Sequence, residues 1–99
     1  LYHTLSTLVG PQVAAAYDEE GHAAFWAGNY ADAIPNLKKA FQYDPTNGQA
    51  LFDLANSYYR MGQEDKAKET YLQVIELFPN TEKADKSEQF LAEMENTEE

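Results

Sequence analysis

Slide the sequence 34 places along itself and its apolar slots coincide: Tyr17 falls on Leu51, Leu37 on Tyr71, Ala40 on Val74 and Phe41 on Ile75. The punctuation coincides too, Gly28 with Gly62, Ala33 with Ala67, Ala16 with Ala50 and Pro45 with Pro79, and Pro11 stands one step before Pro45. A period of this length marked by Gly, Ala and Pro is the signature of a helix–turn–helix repeat. The pattern predicts a first helix from about Pro11 to Ala27, with proline well placed in its first turn. Gly28 ends it, since glycine takes the left-handed conformation after a helix without penalty. Asn29 caps a second helix over Tyr30–Tyr43. Pro35 removes one backbone hydrogen bond from that helix and bends it near Ala31. Asp44-Pro45 stops it, because the residue before proline avoids helical angles.

In the second copy Thr46-x-x-Gln49 matches a capping box, Gly62 closes the first helix, and Phe78-Pro79 ends the second. A last helix, about Thr81 to Met94, carries Ala84, Phe90, Leu91 and Met94 along one side. It reads as the amphipathic cap of a repeat array, charged on its outer face. Gly10-Pro11 separates residues 1–10 from the rest, as an irregular lead-in or the remnant of a preceding helix. The organisation expected is one domain over 1–99, with repeat 1 at 11–45, repeat 2 at 46–79 and a capping helix at 80–95. The fold class is all-α, an α-α superhelix of antiparallel helix hairpins with about five helices.

Small residues are needed where paired helices approach closely. Gly21 and Ala55 lie midway along the first helix of each copy, and Ala33 and Ala67 lie one turn into the second. Tyr17, Phe25, Leu37 and Phe41, then Leu51, Leu54, Tyr58, Tyr71 and Ile75, supply the bulk against them. Burial of each is worth roughly 1.5–3 kcal/mol. Helices this short are marginal alone, so stacking must stabilise them.

These recurrences over about residues 14–79 resemble the tetratricopeptide repeat family. One departure is Glu20, which stands where the family has a large apolar residue and the second copy has Leu54. Either the first hairpin is looser there or the site opens to solvent at the end of the array. The segment VIELFPNTEKADKSEQFL is similar to bacterial members, some of them envelope-anchored.

The resemblance implies a protein-binding scaffold without catalysis or cofactor. Carried over position by position, it places Asp18, His22 and Phe25 of the first copy, and Phe52, Asn56, Tyr59 and Arg60 of the second, on the concave groove, with Trp26 at its edge. Aromatic and hydrogen-bonding groups together suit an extended peptide or a partner helix. Asn56 can pair with a peptide backbone as donor and acceptor. Where some members grip a carboxylate with Lys and Arg, this chain has Asp18, Glu19, Gln49 and Asp53, so no chaperone carboxylate clamp is expected.

Charge narrows the partners. Seventeen acidic residues against seven basic ones give a net charge of −10, and no Lys or Arg precedes Lys38. Nucleic acid and anionic membranes select basic surfaces, so a neutral or basic protein or peptide is the expected partner. Cysteine is absent, which rules out a disulfide framework and a Cys-based zinc site. Glu19-x-x-His22 brings two metal-ligand types one turn apart, short of the three or four that a site needs; neither a metal nor a catalytic constellation is expected. No stretch approaches the roughly 18–20 apolar residues of a membrane span. The start lacks the basic flank of a signal peptide, and a first residue Leu1 reads as a fragment of a longer cytoplasmic or envelope-anchored bacterial protein. Besides peptide binding, the sequence supports an oligomerisation unit that forms a homodimer through exposed repeat ends: Val13, Tyr17 and the alanines beside them have no evident cover.

Overall fold

In the computed structural model the backbone is described for residues 2–98 and the side chains for residues 11–96. Every element among them is an α-helix: α1 Tyr2–Trp26, α2 Tyr30–Tyr43, α3 Gly48–Arg60, α4 Glu64–Leu77 and α5 Glu82–Glu98. The turns fall where glycine permits them. Gly28 and Gly62 both have φ of +80° and end α1 and α3, a conformation glycine adopts freely. Asn29 starts α2, its side chain accepting the Asp32 N–H at 3.4 Å. Thr81 does the same for α5 through the Ala84 N–H at 3.2 Å.

Two local expectations are corrected. The cap of α3 is Asn47, whose Oδ1 accepts the Ala50 N–H at 3.0 Å, and not Thr46. The Thr46 hydroxyl and N–H are already held by the Asp44 carboxylate, and Gln49 donates to Asp53 at 3.0 Å, so neither end of the capping box is available. Nor does Gly10-Pro11 break the chain: α1 starts at Tyr2 and contains Pro11 within it. Proline removes a single N–H from the ladder, and a 25-residue helix retains the bonds on either side. The arrangement of side chains before Pro11 lies outside the described residues. At the other end α5 runs on past Met94 to Glu98.

α1 pairs with α2 and α3 with α4; α2 also packs on α3, and α4 on α5. α1 touches α3, and α3 touches α5, whereas α2 and α4 do not meet. The helices therefore form two layers, α1–α3–α5 and α2–α4. The core between them is made of Ala33, Leu37, Ala40, Ala50, Leu51, Ala55, Ala67, Tyr71 and Val74, all at most 2% exposed. These are mostly the residues that the 34-residue step superimposes. Gly21 is small by necessity, since a Cβ there would lie 2.7 Å from Leu37 Cδ2 and 3.1 Å from the Leu37 backbone nitrogen. Glu20 is exposed, so its slot opens to solvent.

Candidate binding face

Along α1 one stripe runs Ala14, Ala15, Asp18, His22, Phe25 and Trp26, at the three- and four-residue steps that share a helix face. α3 lies beside it. Asn47 Nδ2 donates to Asp18 Oδ1 at 2.9 Å and ties the start of α3 to α1. One turn on, His22 sits between two carboxylates. Its Nδ1 is 2.9 Å from the Asp18 carbonyl oxygen and 3.2 Å from Asp18 Oδ1. Its Nε2 is 2.8 Å from Asp53 Oδ2, across the seam between the repeats. Both ring nitrogens face oxygens.

Asp53 is 2% exposed. Its Oδ1 accepts from Gln49, and the nearest polar group to its Oδ2 is the His22 ring. Burial pushes the Asp53 carboxyl above its ordinary range, and the nearby Asp18 adds to this. The Gln49 hydrogen bond and the His22 ring offset part of the shift.

At the far end of the stripe stands an aromatic cluster. Phe25 meets Trp26 edge-on at 5.4 Å and Tyr30 at 5.6 Å. Trp26 is 78% exposed, and Tyr59, the counterpart of Phe25 on α3, is 43% exposed beside the exposed Arg60. Seven of the eight expected groove residues, Asp18, His22, Phe25, Trp26, Asn56, Tyr59 and Arg60, are thus at least partly open on α1 and α3.

Phe52 is the exception, while Asn56 is partly exposed and bonded to Tyr71. Phe52 is 8% exposed and lies under Phe90 of α5 (centroids 6.3 Å) and against Tyr71 (6.2 Å). The Tyr71 hydroxyl donates to Asn56 Oδ1. Burial raises the Tyr71 phenol above its usual range, with a contribution from Tyr59 that Arg60 partly offsets. α5 therefore covers Phe52 on the repeat-2 part of the face, using an apolar side of which Ala84 alone lies one 34-residue step from an apolar residue, Ala50. The reading of single positions also passed over the pairing of His22 with Asp53. The available signal was an acidic residue between Phe52 and Leu54, in a run that is otherwise mostly core. Among the described residues no group of three or more His, Cys, Asp or Glu side chains is placed to hold a metal ion, and no described helix is long and apolar enough to cross a membrane.

Two layers of antiparallel hairpins with an open edge of aromatic and charged side chains define a helical-repeat module. The tetratricopeptide repeat profile matches residues 24–89, and the chain belongs to the tetratricopeptide repeat family. It is also similar to the photosystem I assembly protein Ycf3 of two strains of the cyanobacterium Prochlorococcus marinus, at 32% identity for strain MIT 9211 and 33% for strain SARG. Each match covers 66 residues, 64% of this chain and 38% of the relative, so it takes in well under half the length of those proteins.

Proposed function

We propose that this chain is a non-catalytic interaction module that binds a protein segment along the open edge of the α1–α3 layer, through Asp18, His22, Phe25, Trp26, Tyr59 and Arg60. The observation that carries this reading is Trp26. A tryptophan left 78% exposed on an aromatic cluster keeps a large apolar surface in water, and such residues concentrate at the centres of protein interfaces. Tetratricopeptide repeats generally mediate protein–protein interaction, and the relatives' name describes assembly of a protein complex; a scaffolding role of that general kind is proposed here. Phe52 supports the face from beneath by holding Tyr71 and α5, and Asn56, partly exposed, accepts from the Tyr71 hydroxyl. The acidic surface favours a neutral or basic partner. A photo-cross-linking side chain at position 26 or 59, in cells that make the protein, tests this: both should yield a protein adduct, and the same group at the exposed Leu72 of α4 should not. Adducts from position 72 alone would place the interface on the other layer and end this reading.

A second reading is self-association. Ala16, Glu20 and Ala23 of α1 are exposed, whereas their repeat-2 counterparts Ala50, Leu54 and Ser57 are buried. A second copy could cover them. Because both copies carry a net charge of −10, such a dimer should tighten as salt screens the repulsion. Light scattering at low and high salt reads the mass directly, and a monomer in both removes this alternative.

A further inference from the structure

The α1 stripe does not end at Asp18. Toward the start of the helix it opens into a cleft of about 420 Å³ walled by Ala14, Ala15, Asp18, Tyr43, Asp44 and Asn47. This cleft is built at a three-way junction: the middle of α1, the end of α2 and the cap of α3. Its two carboxylates are fixed in place, Asp18 by Asn47 and Asp44 by the Thr46 N–H and hydroxyl. Tyr43, 53% exposed, lies parallel to Tyr17 with centroids 6.0 Å apart. Tyr17 already carries the Lys39 ammonium over its ring at 5.3 Å, so this aromatic pair has the electron-rich faces that attract cations. One turn further along the stripe, Asp53 is buried with its Oδ2 nearest the His22 ring. Among the described residues Asp18 and Asp53 both pair with His22, and no Lys or Arg occurs before Lys38.

We infer that the partner segment is basic and extended, placing an arginine or lysine head in the Asp18–Asp44–Tyr43 cleft and an apolar side chain on the Trp26–Phe25 edge. This rests on the interaction reading above and adds to it the chemistry and spacing of the ligand. A guanidinium fits the cleft because its plane can stack on Tyr43 while its edge donates to a carboxylate. The spacing follows from helix geometry. Ala15 and Trp26 are 11 residues apart on α1, which at 1.5 Å per residue is about 16 Å. An extended peptide covers about 16 Å in about five residues. An extended chain is favoured over a helix because α5 already lies against α3, with Phe90 over Phe52; what stays open is a strip along α1 without the second wall that a docked helix needs.

The test uses the whole chain and synthetic peptides. Each carries one leucine and one arginine about five residues apart on a serine–alanine background, in both orders, with versions in which glutamine or glutamate replaces the arginine. Binding is read from the fluorescence of Trp26, the chain's single tryptophan, and from amide shifts. The arginine peptide should bind about tenfold more tightly than the glutamine peptide and lose that advantage at high salt; the glutamate peptide should bind least. A double variant, Asp18→Asn with Asp44→Asn, should erase the preference for the arginine peptide over the glutamine peptide. If it does not fold by circular dichroism, Tyr43→Ala, which breaks no internal hydrogen bond of those carboxylates, should lower arginine affinity alone. Equal binding of the arginine, glutamine and glutamate peptides at the Trp26 edge would overturn the basic-anchor inference and leave the interaction reading intact. Absence of any shift along α1 and α3 with every peptide would count against both.

Discussion

Truncating Phe90 to alanine should undock α5 from the body of the repeats. The Phe90 ring stacks on Tyr71 at 5.5 Å and lies over Phe52 at 6.3 Å, and it is the largest side chain that α5 inserts between α3 and α4. Removing a fully buried phenylalanine costs about 3–5 kcal/mol. Phe90 is partly buried, so about 2–3 kcal/mol is expected. In a domain of this length each kcal/mol moves the melting temperature by about 4–8 °C, which predicts a fall of about 10–20 °C. Urea unfolding followed by far-UV circular dichroism gives the free energy, and hydrogen exchange locates the loss. Amides of α5 should lose protection first, while those of α1 and α2 keep theirs. Phe52 would then be uncovered, and Phe90→Ala should expose new apolar surface beside Tyr59. A change below about 0.5 kcal/mol, the range of an ordinary surface substitution, would refute the reasoning. It would mean that α5 is not docked on this face and that Phe52 is an open groove residue after all.

Four further outcomes are expected. Gly21→Ala gains about 1 kcal/mol of helix propensity, but its Cβ would press on Leu37 at 2.7 Å. Overpacking of 1–3 kcal/mol against a side chain with no room to move should leave the variant destabilised, and a raised melting temperature would contradict the close approach of α1 and α2. Asp53 has a carboxyl pKa raised by burial from 3.8, so its contribution to stability is full below that value and is lost as pH rises through the folded pKa. Asp53→Asn should therefore gain on wild type in urea midpoint as pH is taken from acid to neutral, and a flat or narrowing difference would show that the buried charge is already fully compensated. Asn56→Ala leaves the Tyr71 hydroxyl without its acceptor and should lower stability by about 1–3 kcal/mol. Tyr59→Ala should leave stability alone and weaken partner binding by about 1–2 kcal/mol; the two variants together separate support from contact.

What could be read from the chain was whatever depends on neighbours in sequence. Gly28 and Gly62 mark turns because a positive φ is a local requirement, Asn29 caps because its acceptor needs only the next helical turn, and Ala33, Leu37, Tyr71 and Val74 lie in the core because the 34-residue step repeats them. The capping residue of α3 was one place off, since Asp44 takes up the Thr46 hydroxyl and leaves the role to Asn47. Pro11 was given more breaking power than one missing N–H has within a long helix. The site was legible in part. Trp26, Tyr59 and Arg60 stand at turn ends, where exposure follows from the hairpin itself. Whether Phe52 faces solvent depends on where a later helix docks, and repetition of sequence does not encode that. The His22–Asp53 contact joins two positions that the repeat does not align, so it emerges only when the two hairpins are stacked.

The most direct test of the binding face is a map of backbone amide shifts in the isotopically labelled chain as a partner captured at position 26 or 59 is added. The largest changes should run along Asp18, His22, Phe25 and Trp26 and across to Tyr59 and Arg60, with Leu72 and Leu77 on α4 unmoved. Changes centred on α2 and α4, with the α1 stripe silent, would show that the partner is held by the opposite layer and that the face described here is not the one this module uses.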